Sequence, residues 1–260
     1  MAGLGVCLDV IQDHTFIGPH MSAVLTRTPV VTTFHDVGDR QRQIIYGGLR
    51  EAVGTISVSD HQKSTLIGVR TDKRIYPGLP ASLYEMSENK GYLLFVGRFS
   101  PEKGAETAIE AARRAKLPII LAGRIVRGQE GYFENCVKPL ISDDVKYIGE
   151  ISPKEKAKLI SNSFALINTV KYDEPFGLIN AEALLSGVPV ISYRIGAFPE
   201  IIDHGRNGFL CDNIDDVISA VEALDTLDTG GIRRDAVQRF SLERMVSEHV
   251  EFYEEMKSRA

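Results

Sequence analysis

Short apolar runs alternate with polar or helix-forming stretches along the chain. In the first third the runs are Val6 to Ile11, Val30 to Phe34, Thr55 to Val58 and Arg74 to Tyr76. Each is followed by a polar or helical segment, the strand–helix alternation of a parallel sheet. A second, more regular series follows: Tyr92 to Val96, Pro118 to Ala122, Val145 to Ile148, Phe164 to Asn168, Val188 to Ile191 and Gly208 to Leu210. Strands that are apolar throughout imply burial on both faces, so six of them separated by helical patterns predict a doubly wound α/β sheet. Between the two series, Tyr76-Pro77-Gly78-Leu79-Pro80 and the polar segment Tyr84 to Lys90 punctuate the chain. The expected domains are therefore 1–83 and 84–260. The tail from Leu242 to Met256 sets Met245, Val246, Val250, Phe252, Tyr253 and Met256 among acids, which reads as an amphipathic closing helix over 241–257 that can pack back on the first domain.

One helix carries chemistry. Pro175 and Gly177 mark a turn, and the run Leu178, Ile179, Ala181, Ala183, Leu184, Leu185 before Gly187 is rich in helix formers. Glu174 thus precedes a helix and Glu182 rides on it. At about 100° per residue Glu182 falls between Leu178, Leu185 and Ile179, within the apolar sector. A carboxylate there needs a partner, which a neighbouring backbone group, an arginine or a ligand could supply.

Composition narrows the class. The 260 residues are 43% hydrophobic and 25% charged, with a formal charge of −5 and interspersed signs. That is ordinary globular composition, and it lacks the basic stripe of a nucleic-acid binder. Cys7, Cys136 and Cys211 are widely separated, so neither a disulfide framework nor a zinc site is indicated. No apolar run approaches the roughly 18 residues of a membrane span, and the start has no signal core; membrane association is not indicated, and a cytoplasmic protein is expected.

The strand ends supply candidate ligand groups, because open parallel sheets bind ligands beyond the carboxyl ends of their strands. Asp13 and His14 follow the first strand, His35 and Asp36 the second, Ser59 and Asp60 the third. A helix cap is the better reading of Ser59-Asp60. His35 follows its strand with no helix start to serve, and both a functional and a structural role stay open. In the second series, Gly97-Arg98-Phe99-Ser100-Pro101-Glu102-Lys103-Gly104 lets Ser100 cap and Pro101 start a helix, with Arg98 and Lys103 flanking its N-terminus. Two cations beside free N–H groups suit phosphate; the alternative is a pair of surface cations. Ile195-Gly196-Ala197-Phe198-Pro199-Glu200 is another strand-end glycine turn, open both to an anion and to a plain turn. No Gly-x-Gly-x-x-Gly and no Gly-Lys-Ser/Thr occurs at these turns, which disfavours a dinucleotide oxidoreductase and a P-loop enzyme.

Taken together, Gly97-Arg98 with Lys103, Glu174-Pro175-Phe176-Gly177 with Glu182 as Glu-x7-Glu, Gly187-Val188-Pro189-Val190, Gly196 to Glu200 and Asn207-Gly208-Phe209 resemble the retaining glycosyltransferases of family four. Asp13-His14-Thr15 and Thr33-Phe34-His35 extend the resemblance forward. It implies an α/β, GT-B-like fold: a complete C-terminal Rossmann-like domain that holds the donor, and a truncated N-terminal Rossmann-like domain lacking the usual opening strand and glycine-rich loop. Gly3 and Gly5 follow no strand and are not that loop. By motif, Glu182 would hold ribose hydroxyls and Glu174 the donor sugar. Arg98 and Lys103 would clamp the diphosphate, with Gly97 beside them and with Phe176 and the N–H groups of Gly177, Leu178 and Ile179 at the helix start. Ile148, Gly149 and Glu150 would edge the base, His35 would approach the reaction centre, and His14 would lie on the acceptor side. The resemblance implies same-face transfer with retention, in which the leaving phosphate takes the acceptor's proton.

No cofactor beyond the nucleotide-diphosphate sugar substrate is expected, and no metal, since no Asp-x-Asp occurs. The acceptor is unidentified. The expected unpaired edge of the strand Val6 to Ile11 predicts a homo-oligomer or a partner chain. The reading alternative to an active transferase is a nucleotide-sugar-binding subunit or inactive remnant that works with a partner.

Overall fold

A computed structural model describes residues 8–88 and 91–259. The chain divides into two compact units, Met1–Gly78 with Glu243–Ala260, and Leu79–Leu242.

The first unit holds a four-stranded parallel sheet in sequence order: β1 (Ile11–Asp13), β2 (Val30–Thr33), β3 (Val53–Ser57) and β4 (Lys73–Arg74). The helices α1 (Gly18–Leu25), α2 (Arg40–Gly47) and α3 (Asp60–Thr65) connect them. The expected strand Val6 to Ile11 is corrected: Val6 lies outside the described residues, and the strand begins at Ile11, where its register against Val30 is set. Ser59 caps α3 by accepting from the Gln62 N–H, as its spacing predicts.

The second unit holds a six-stranded parallel sheet of β5 (Tyr92–Val96), β6 (Ile119–Ala122), β7 (Val145–Tyr147), β8 (Ser163–Asn168), β9 (Val190–Tyr193) and β10 (Gly208–Cys211). Its order is β10-β9-β8-β5-β6-β7, the doubly wound arrangement, with the topological switch between β5 and β8. Its helices among the described residues include α4 (Ala105–Ala115), the turn α5 (Glu130–Tyr132), which runs on into a π-helical segment Phe133–Val137, α6 (Pro153–Ser161), α7 (Leu178–Leu185), α8 (Phe198–Ile201), α9 (Ile214–Glu222) and α10 (Thr229–Phe240). The core packs Leu93 and Phe95 of β5 against Ala108, Ile109 and Ala112 of α4. Tyr84, expected to open a polar separator, is instead buried; the Arg233 guanidinium donates to its carbonyl and to that of Leu185.

The last helix, α11 (Leu242–Arg259), packs in the first unit, where Phe252 and Met256 are buried with Val31, Ile56 and Ile75. No described helix is long and apolar enough to cross a membrane.

Candidate functional site

In the second unit the carboxyl ends of β5 and β8, the two strands at the switch, bring the motif residues together. Beyond β5 the ladder continues through glycines: Gly97 N–H donates to Ala122 O at 3.0 Å, and Gly123 N–H to Gly149 O at 2.8 Å. This places Gly97 and the Ile148-Gly149-Glu150 segment at one sheet end. The expected capping by Ser100 does not occur. Its hydroxyl donates instead to Glu102 Oε1 at 2.6 Å, Pro101–Lys103 is a single 3-10 turn, and α4 starts only after Gly104. Pro101 thus opens only that turn, and Arg98 and Lys103 flank its start rather than the start of α4. Arg98 is exposed, whereas Lys103 reaches across to the loop after β8.

There Glu174 Oε1 accepts from Lys103 Nζ at 2.5 Å and from the Tyr172 hydroxyl at 2.6 Å, while the Lys103 ammonium lies 4.7 Å from the centroid of the Tyr172 ring. Burial, followed by the hydrogen bond to Glu174, raises the Tyr172 pKa and keeps the phenol a donor. Two features fix the loop that carries Glu174. Phe176 is buried edge-on against Phe240, and Gly196, at φ +56°, lies so close that a Cβ there would sit 2.6 Å from the backbone N and O of Glu174. The sequence leaves this turn open both to an anion and to a plain turn; in the structure the Gly196 backbone packs on Glu174.

The helix α7 then starts at Gly177, whose φ of +89° and contact with Phe198 leave no room for a side chain. No side chain caps this helix, so the first N–H groups, including those of Leu178 and Ile179, face the loop with the dipole's positive end. From Asn180 to Leu185 every residue is buried, but Leu178 is 48% exposed and does not join the apolar sector predicted around Glu182. Glu182 is 5% exposed. Its Oε1 accepts from Lys156 Nζ on α6 at 2.7 Å; its Oε2 is buried and has no hydrogen-bond partner among the described residues. The Tyr84 phenol lies beside this carboxylate: burial, then the Glu182 charge and the contact with the Glu182 side chain, push its pKa well up. The buried Asn180 accepts from Asn168 Nδ2 at 2.8 Å through Oδ1, and its own Nδ2 is likewise unpartnered among the described residues. An arrangement of this kind, a helix start, a cation and two carboxylates with a free buried lone pair, suits a ligand with an anionic group and hydroxyls.

The model of the family "Glycosyl transferases group 1" matches residues 84–244. The chain belongs to that family. A relative from the cps region of Klebsiella pneumoniae, an uncharacterised 41.2 kDa protein, is 29% identical over 176 residues, covering 65% of this chain and 48% of its own. The N-acetyl-alpha-D-glucosaminyl L-malate synthase of Bacillus anthracis is 28% identical over 184 residues, covering 65% and 47%. The chain thus spans about half the length of these curated relatives. HepE of Anabaena, solved in complex with UDP and glucose, superposes with a TM-score of 0.82 at 22% identity over 94% of this chain and 77% of its own. That likeness establishes the fold, α/β with two parallel sheets and GT-B-like.

In this member of the family the first unit gathers a second set of groups. His14 follows β1 and His35 follows β2, and His14 Nδ1 lies 2.9 Å from His35 Nε2. The neighbouring acids are occupied: Asp13 accepts from Thr15 N–H and hydroxyl at 2.7 Å, and Asp36 pairs with Arg42 at 3.1 Å. Burial first, then the charge on His14, lowers the His35 pKa against an opposing pull from Asp36. The pair opens on a cavity of about 330 Å³, lined also by Thr33, Val58, Ile75 and Pro77 and by residues of α11.

Three groups escaped the sequence reading. Tyr172 had a signal, its place two residues before Glu174. Lys156 and Tyr84 had none, being 26 and 98 positions from the carboxylate they approach. Among the described residues no group of three metal-ligating side chains occurs.

Proposed function

We propose that this group 1 glycosyl transferase takes a sugar from a nucleoside diphosphate donor held by the second unit and passes it to an acceptor hydroxyl with retention of configuration. The observation that carries the reading is the buried Glu182 carboxylate, anchored by Lys156 through one oxygen and left with the other unpartnered among the described residues. A lone pair withheld from water and from protein is costly unless a ligand hydroxyl meets it, and a ribose supplies one. Glu174 then accepts from hydroxyls of the donor sugar. Lys103 exchanges its bond to Glu174 for the diphosphate, which it shares with Arg98 and the first N–H groups of α7. Donors fixed where charge grows on the departing diphosphate stabilise the transition state. The Ile148–Glu150 segment edges the base, and His35 acts on the sugar at the reaction centre. Hexosyl transfer without a metal follows from assigning the diphosphate charge to Lys103 and Arg98. The relative from Anabaena, solved with UDP and glucose, supports a nucleotide of this kind.

Turnover tests the assignment. With a panel of nucleoside diphosphate hexoses, donor hydrolysis by the purified chain should fall at least about 100-fold in Glu174→Ala and His35→Ala, the range for removing an electrostatic or acid–base contribution. Nucleotide affinity should change much less. Equal, negligible effects on both quantities overturn the site, and binding of a nucleoside diphosphate with no hydrolysis or transfer from any donor favours a binding subunit.

A further inference from the structure

Glu182 has a protein partner on one oxygen only. Oε1 accepts from Lys156 Nζ at 2.7 Å, while Oε2 is buried and unpartnered among the described residues. The two members of this pair differ in access: the side chain of Glu182 is 6% exposed and that of Lys156 28%. The pair therefore meets solvent mainly through the lysine.

Local structure directs Lys156 there. Ser152 and Glu155 close a capping box at the start of α6, the Ser152 N–H donating to Glu155 Oε2 at 2.8 Å, with Pro153 in the first turn. This fixes the phase of the helix. Lys156 stands one turn before the buried Ile160, so its side chain sets out from the inward face of α6. There α6 packs against α7, the helix that carries Glu182. Tyr84 flanks the same carboxylate, but burial keeps its phenol protonated, and the charge of Glu182 is balanced by Lys156.

An ionised carboxylate has two accepting oxygens, enough to take one hydroxyl of a ribose on each. Here one is committed. The bond from an ammonium to a buried carboxylate is charge-assisted, and breaking such a pair costs more than a hydrogen bond from a hydroxyl returns. Unlike Lys103, which is offered a diphosphate in place of its carboxylate, Lys156 would meet a neutral ribose and gain no anion in exchange. It stays on Oε1, and Oε2 is the oxygen left for the nucleotide.

We propose that Lys156 is a positioning residue that makes ribose recognition one-sided: with Oε1 held, Glu182 reads one of the two ribose hydroxyls through Oε2 and leaves the other unread. The inference rests on the donor reading above. It goes further in assigning Lys156 a part in specificity, and in requiring that the two hydroxyls count unequally.

Calorimetric titration of the full chain tests it, with whichever of UDP, GDP and ADP binds and with the 2′-deoxy and 3′-deoxy forms of that nucleotide. One deoxy form should bind at least about tenfold more weakly than the ribonucleotide, the loss expected for one hydrogen bond to a charged group, and the other within about twofold of it. Lys156→Arg should keep this one-sided pattern, and Lys156→Met should abolish the difference between the two deoxy forms. A lysine with a merely structural role would instead lower Tm and weaken all three nucleotides in proportion, with the pattern intact. Equal penalties for both deoxy forms in the unaltered protein, or a one-sided pattern that survives in Lys156→Met, overturn the proposal while leaving the ribose on Glu182. Should the Met variant fail to fold, the comparison in the unaltered protein still decides. Failure of the donor reading looks different: no ribonucleotide binds, or neither deoxy form is weaker, and the proposal falls with it.

Discussion

Glu182 and Glu174 carry the same charge eight positions apart, yet they sit in different chemistry. Glu182 is held from one side by Lys156 with Oε2 idle, while Glu174 takes both of its protein donors, Lys103 and Tyr172, on a single oxygen. Spacing alone made both legible as site residues. It did not reveal that Lys156 of α6 pairs with Glu182 or that Lys103, in the turn after β5, pairs with Glu174, because contacts between distant segments leave no periodic trace in sequence. The same holds for His14 and His35, 21 positions apart. Their pairing makes a prediction about pH. The His35 pKa lies below its ordinary 6.5 through burial and then the His14 charge, opposed by Asp36. In the window from 6.5 down to the folded value, the native state therefore binds fewer protons than the unfolded state. Stability is full above pH 6.5 and falls as acid carries the protein through that window. Chemical denaturation at a series of pH values should show this slope flattened in His35→Gln; equal slopes for both proteins would contradict the attribution.

At the scale of elements, the strands were read closely where apolar runs have sharp polar borders. Tyr92–Val96 agrees residue for residue. Where the border is apolar, as at Val188-Pro189 before β9 (Val190–Tyr193), the sequence placed the strand two residues early, because a loop buried beneath the sheet looks like strand. Helix starts followed capping chemistry at Ser59 but not at Ser100, whose hydroxyl is taken by Glu102. Glycine turns were legible as turns and not as contacts. Gly196 adopts φ +56° with the Glu174 backbone against it, so Gly196→Ala forces both a left-handed alanine and a shift of Glu174. We expect a loss of about 1–3 kcal/mol in stability, read as a lower Tm, together with reduced donor hydrolysis. Unchanged Tm and turnover would show that the loop does not depend on this approach.

For the molecule as a whole, two parallel α/β units were legible because βα alternation persists through both series. What the alternation could not indicate is which surfaces remain bare. On α1, Met21, Val24 and Leu25 are exposed, the last at 78%, and among the described residues β1 ends its sheet. Contiguous apolar surface of this kind marks an interaction face, and we expect the chain to self-associate through it. Sedimentation should show concentration-dependent assembly that the double substitution Val24→Lys and Leu25→Lys diminishes. A monomer at every concentration would contradict this. The central claim, that the second unit holds a nucleoside diphosphate with its ribose on Glu182, is tested most directly by calorimetric titration of UDP, GDP and ADP into the protein and into Glu182→Ala. The account predicts saturable binding of at least one of them, weakened about 10- to 100-fold by the substitution, as expected for losing a hydrogen bond to a charged group. Binding of none, or equal affinity in both proteins, would contradict it.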